Sequence, residues 1–115
     1  METPMIAAPG ITVTLCSSDD RVLLRCAGEI DISNAHLLRK PLDEHLTDSS
    51  RELTVDLCGV SYLDSSAIKE LLRAAVVLTR QGRRLRVRVT PRQRKLFALT
   101  RCDDLLALET PPRWR

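Results

Sequence analysis

The sequence predicts an α/β domain, a small mixed β-sheet in the order β-β-α-β-α-β-α-β with helices packed mainly on one face. Three observations predict it. Segments with an apolar period of two alternate along the chain with segments of helical period. Strand–helix–strand units favour parallel pairing through right-handed crossovers, while the first two strands, joined by a short turn, add an antiparallel pair. Three strands alternate apolar with polar residues; a sheet covered on both faces shows continuous apolar runs instead.

Each element has its own warrant. Residues 1–10, METPMIAAPG, lack a basic start and a sustained apolar run, so they read as a flexible lead-in rather than a signal peptide. In ITVTLC, Ile11, Val13 and Leu15 point one way and Thr12 and Thr14 the other, as in a half-buried strand. Asp19-Asp20 makes a turn, and VLLRCAGEI returns as the second strand. DISNAHLLRKPLDEHL follows with Ser33 or Asn34 available as N-cap and Ala35, Leu38, Leu42 and Leu46 at helical spacing. Pro41 lacks an N–H and clashes one turn back, so it kinks or splits this helix.

RELTVDLCGV is the third strand. In the next helix, Ile68, Leu71, Leu72, Ala75 and Val76 follow the spacing of one apolar face. Gly82 supplies a left-handed terminator. RRLRVRV is the fourth strand, with Leu85, Val87 and Val89 inward and Arg84, Arg86 and Arg88 outward. Pro91 suits the first turn of a third helix. LLALE is the last strand, so one domain spans residues 11–109 and residues 110–115 form a tail.

Composition sets limits on function. With 115 residues, 43% hydrophobic and 29% charged, the chain suits one globular domain. No apolar run approaches the roughly 20 residues of a membrane-spanning helix, so membrane insertion is not expected. Cys16, Cys26, Cys58 and Cys102 have neither zinc nor disulfide-framework spacing and read as reduced thiols in a cytoplasmic protein. The net charge of +3 is uneven. Residues 1–50 hold four Lys/Arg against eight Asp/Glu, and residues 51–115 hold fourteen against seven. The stretch RQGRRLRVRVTPRQRK is basic but has almost no aromatics for base stacking and no nucleic-acid motif. An acidic protein surface is a better match for it than direct nucleic-acid contact.

The segment SYLDSSAIKELL carries the most chemistry. Asp64, Ser65 or Ser66 can cap the helix that follows, without a capping box, since Ala67 and Ile68 stand where its Glu would help. A serine at a helix start is also suited to phosphorylation. The helix dipole tolerates the added anion, while a partner docked there meets a new charge of about −1.5 to −2. Ser66-Ala67-Ile68-Lys69 fits S-x-x-K, but no S-D-N, K-T-G or G-x-S-x-G accompanies it. His36 and His45 lack ligand partners at metal spacing. No nucleophile–base set assembles, so neither catalysis nor a cofactor or metal is expected.

AGEID (Ala27 to Asp31) together with DLCGVSYLDSSAIKELL (Asp56 to Leu72) resembles the STAS domain, specifically the bacterial anti-sigma factor antagonists. The family signature runs roughly D-L-S-G-V-x-F-x-D-S-S/T-G-L. It is matched at Asp56, Leu57, Gly59, Val60, Asp64, Ser65 and Ser66, with G-E-x-D at Gly28, Glu29 and Asp31 as independent support. The element order matches from about Ile11 to Leu108. The resemblance implies a STAS-like fold and a non-enzymatic binding protein. It further implies that Ser65, or as second choice Ser66, is phosphorylated by an anti-sigma factor with serine kinase activity. The unphosphorylated form would bind that factor and release a sigma factor, and a PP2C-type phosphatase would restore it. The partner-binding residues carried over are Asp31, Ser33, Asn34, Asp64, Ser65, Ser66, Ala67 and Lys69. The chain departs from the family at Cys58 for Ser, Ala67 for Gly, Ile68 for Leu, and Lys69. Those departures leave an alternative, a STAS adaptor that is never phosphorylated, in a stressosome-like or membrane lipid-transport complex. Whether the chain forms a homodimer stays open.

Overall fold

The computed structural model describes residues 1–48, 51–102 and 104–112. Six strands form one sheet in sequential order: β1 (Glu2–Ala8), β2 (Ile11–Ser17), β3 (Arg21–Ile30), β4 (Glu52–Leu63), β5 (Leu85–Arg88) and β6 (Leu106–Glu109). β1, β2 and β3 pair antiparallel, and β3 through β6 pair parallel. The parallel connections carry a 3-10 helix (Ala35–Leu38) running into α1 (Arg39–Asp43), then α2 (Ser65–Arg80), then α3 (Pro91–Leu99).

The expectation for residues 1–10 is corrected. They form edge strand β1, joined to β2 by a turn at Pro9-Gly10 with Gly10 at φ +85°. Met5 and Ile6 are half-buried against the core, which is what holds this end in place. Pro4 and the adjacent register irregularity suit an edge, where a missing N–H costs no ladder bond. Of the expected tail, Thr110 to Pro112 are described; residues 113–115 lie outside the described residues.

Burial follows the predicted alternation. Val22, Leu24 and Cys26 of β3, Leu53, Val55 and Leu57 of β4, and Leu85 and Val87 of β5 are buried. The intervening Arg25, Asp56 and Arg88 lie on the opposite face, together with Glu109 of β6, and register places these four opposite one another across β3 to β6. Positive and negative side chains thus alternate across the open face. Arg86 is 2.9 Å from both Glu52 and Glu109, and Arg88 is 3.0 Å from Glu109. The strand arginines of the basic stretch are therefore paired by this sheet. Arg83 and Arg84 donate to backbone carbonyls of Leu46, Arg51, Asp104 and Leu106.

The helices depart from expectation in detail. Pro41 splits the first helix: a 3-10 turn precedes it, and α1 starts only at Arg39, so Pro41 falls in its first turn. The Asn34 side chain does not cap it. α2 buries Ala67, Ala74 and Leu78 besides Ile68, Leu71 and Ala75, while Val76 is exposed. The buried stripe is rotated toward the two alanines, whose small side chains let the helix approach closely. Gly82 at φ +72° ends the helix as expected. α3 carries a full capping box: the Thr90 hydroxyl accepts from the Gln93 N–H, and the Gln93 side chain accepts from the Thr90 N–H. Gln93 also donates to the Leu57 and Val60 carbonyls, and Phe97 is fully buried, so α3 is fastened at both ends.

Candidate functional site

The site lies where β3 and β4 end and α2 begins. β4 runs three residues further than the sequence suggested, to Leu63. Asp64 is still extended, and the helix begins at the next residue, Ser65. The Asp64 N–H donates to the Ile30 carbonyl at 3.3 Å, which ties the start of α2 to the end of β3. Its carboxylate accepts from the Ser66 N–H at 2.9 Å, so Asp64 rather than either serine is the N-cap. Ser65 is the first residue of the helix and is exposed; Ser66 is half-buried.

On the β3 side, a second turn faces this one. The Asp31 carboxylate accepts from the Ser33 N–H and hydroxyl, and the Asn34 side chain bridges the Asp31 N–H and the Glu29 carbonyl. The Ser33 hydroxyl is the main cause that lowers the Asp31 pKa below the ordinary carboxylate value. Gly28 lies upstream at φ +102°, and a Cβ there would fall 2.2 Å from the Gly10 carbonyl oxygen. That oxygen accepts from the Glu29 N–H at 2.7 Å. The glycine of the G-E-x-D turn is thus required by close backbone contact with the β1–β2 turn.

Between the two turns runs a groove of about 440 Å³ lined by Ile32, Ala35, His36, Arg39, Ser65, Ser66, Lys69 and Glu70. The structure brings together Ser65, Ser66 and Lys69 of the expected partner-binding residues. Asp64, Asp31, Ser33 and Asn34 stand beside the groove and hold its two walls. Ala67 is a correction: it is fully buried, its methyl facing the core, and takes no place on the surface. The departure from glycine at this position therefore leaves the accessible surface unchanged. Lys69 is the departure that reaches it, one turn beyond Ser65 on the same helix face.

Sequence reasoning missed Ile32, His36, Arg39 and Glu70. Ile32 is 84% exposed, an apolar side chain presented at the rim. An isolated Ile between Asp31 and Ser33 gave no periodic signal. Arg39 grips Glu70 with two donors, Nε at 3.0 Å and Nη2 at 2.9 Å. Arg73 adds a third contact to Glu70 at 3.2 Å and reaches Asp43 at 3.0 Å. Glu70 is buried, and the Arg39 hydrogen bond is the main cause that holds its carboxyl below the ordinary range. This network pins α1 to α2 beside the groove. Its partners are 31 residues apart, beyond any local pattern.

No metal-binding group of His, Cys, Asp or Glu occurs among the described residues. Among them no helix is long and apolar enough to cross a membrane. The arrangement offers a hydroxyl at a helix start, a flanking carboxylate and a shallow groove with an apolar rim, which is equipment for docking.

Comparison with known proteins agrees with this geometry. The family model described as Mlab, STAS domain, matches residues 13–108. The chain is 28% identical over 97 residues to the anti-sigma-B factor antagonist of Bacillus subtilis (strain 168), covering 84% of this chain and 88% of that protein. The crystal structure of an anti-sigma factor antagonist from Mycobacterium paratuberculosis superposes with a TM-score of 0.79 at 26% identity, over 94% of this chain and 93% of that one. The Bacillus cell fate determinant SpoIIAA in its phosphorylated form shares the fold, with a TM-score of 0.66 at 18% identity over 86% of this chain and 90% of that one. With a six-stranded mixed sheet and the D-S-S turn leading into α2 already in place, the match over residues 13–108 settles the family: the chain belongs to the STAS domain family.

Proposed function

We propose that this protein is a cytoplasmic anti-sigma factor antagonist, a binding protein and not an enzyme, whose docking surface is switched by phosphorylation of Ser65. The observation that carries the reading is the position of Ser65. It is exposed, it is the first residue of α2, and it lines the groove between the two turns. A phosphate there meets the positive end of a 16-residue helix, so the fold tolerates it. Lys69, four residues on, gives the phosphate a cation, a pairing worth about 0.3–0.5 kcal/mol on a helix surface. A docked partner has no such compensation and meets both the phosphate and the Asp64 carboxylate.

In this reading an anti-sigma factor with serine kinase activity binds the groove and phosphorylates Ser65, which ends the binding. A PP2C-type phosphatase restores it. The names of the relatives and the phosphorylated form known for SpoIIAA support this cycle. Titration of the protein against a kinase-type anti-sigma factor tests it. Ser65→Ala should bind as wild type and keep binding when ATP is present. Ser65→Asp should bind at least about tenfold more weakly, as expected when a charge is introduced at a complementary interface. Equal binding by both variants under both conditions would overturn the switch.

Lys69 supports a second reading. It projects beside Ser65 where the family pattern has no such cation, as suits a surface that docks without phosphorylation. That reading makes the protein a constitutive adaptor in a stressosome-like or membrane lipid-transport complex. It predicts that Ser65→Ala changes nothing and that Lys69→Glu abolishes partner binding.

A further inference from the structure

The basic stretch divides into two populations. On the sheet, Arg86 and Arg88 are ion-paired with Glu52 and Glu109. Arg83 and Arg84 are tied to backbone carbonyls. On α3 the situation is reversed. The helix carries Arg92, Arg94 and Lys95 and no carboxylate. Arg94 donates to the Thr110 hydroxyl, whereas Arg92 and Lys95 are exposed and make no ion pair or hydrogen bond among the described residues. The helix places three cations within its first five residues, next to its own positive end, where they are unfavourable. Local stability does not account for them.

Apolar surface lies alongside. Tyr62 at the end of β4 is 53% exposed, and Leu99 at the end of α3 is 82% exposed. A groove of about 280 Å³ separates β4 from α3, lined by Tyr62, Leu63, Arg92 and Leu96 among others. Arg92, Lys95, Leu96 and Leu99 fall at i, i+3, i+4 and i+7, so the two cations and the two leucines share one side of the helix. Tyr62 stands two residues before Asp64, so this surface adjoins the start of α2 while sharing no lining residue with the Ser65 groove.

We propose that the Tyr62–α3 face is a second docking surface, and that it takes an acidic amphipathic segment of a protein partner. Carboxylates of that segment pair with Arg92 and Lys95. An apolar side chain enters the groove between Tyr62 and Leu96, where an aromatic next to a cation is the usual composition of an energetic centre. The proposal stands without the phosphorylation cycle, since none of its residues lines the Ser65 groove.

The test is a titration of the isotope-labelled full chain, followed by amide chemical shifts, with a synthetic amphipathic peptide bearing Glu on one face and Leu and Phe on the other. Shifts confined to residues 61–63 and 92–99 are expected. Affinity should fall about tenfold or more in Tyr62→Ala and in the Arg92→Glu, Lys95→Glu double variant, as for loss of a hot-spot aromatic or of paired interface charges. Unchanged melting of these exposed-site variants shows that the fold is intact. No shifts at these residues, or shifts unaffected by the variants, would overturn the proposal. So would stronger perturbation of the same residues by a single-stranded oligonucleotide or by anionic lipid vesicles, which would make the occupant a nucleic acid or a membrane surface. None of these outcomes bears on Ser65, so failure here leaves the phosphoswitch standing.

Discussion

Single residues carry separable tasks at this site. Ser65 offers a hydroxyl, Asp64 caps the helix that presents it, and Gly28 allows the β1–β2 turn to approach the facing turn. Gly28→Ala should cost more than about 2 kcal/mol, because it combines a left-handed backbone with a clash against the Gly10 carbonyl. Urea unfolding measures that loss. Arg101 stands at φ +55° just past α3, where glycine is the unstrained residue. Arg101→Gly should therefore cost nothing or add up to about 1 kcal/mol in the same assay, depending on how far relief of strain exceeds the added unfolded-state entropy. The chemistry-bearing residues were the legible ones. Asp64-Ser65-Ser66 after an apolar strand announces a helix start from sequence alone, because capping preferences are local. The burial of Ala67 was not legible, since its neighbour Lys69 is exposed and only the rotation of α2 on the sheet decides between the two. Cys26, by contrast, was legible: it alternates with Val22 and Leu24 on the strand's inner face, and burial pushes its thiol up to about 12, which makes it inert.

At the scale of elements, two devices fix the helices that frame the surface. α3 depends on its Thr90–Gln93 capping box. Thr90→Ala should remove about 1 kcal/mol, read as a drop in the urea midpoint. Of this helix start the sequence reading took only Pro91; the box and the two β4 carbonyls that Gln93 reaches came from the structure. The Arg39–Glu70–Arg73 network, with Asp43, joins α1 to α2. Glu70 has a folded pKa below its ordinary value of 4.5, so the unfolded chain binds protons first as the pH falls. Its contribution is complete above that ordinary value and is lost as pH falls through it toward the folded pKa. A pH series of unfolding midpoints should show a steeper acid limb for wild type than for Glu70→Gln, and Glu70→Gln should be less stable by about 1–2 kcal/mol near neutrality. Edge strand β1 escaped the sequence reading for a physical reason. Pro4 and Pro9 mask strand propensity, and an edge strand with one partner needs neither a full ladder nor a strict alternation.

On the scale of the whole molecule, the sequential strand order puts the ends of β3 and β4 side by side, and function collects there. The alternation of Arg25, Asp56, Arg88 and Glu109 across the open face lets that face stay charged without a net field. α3 adds Arg92 and Lys95, which join no ion pair among the described residues, and the groove beside them shares no lining residue with the Ser65 groove. The proposed switch would act on binding and spare the fold, so Ser65→Asp should unfold within about 0.5 kcal/mol of wild type, as surface substitutions do. The most direct test of the switch is the intact mass, with site mapping, of the protein incubated with a kinase-type anti-sigma factor and ATP. A single added phosphate on Ser65 is the predicted result. An unmodified protein, or a phosphate carried on another residue, would contradict it.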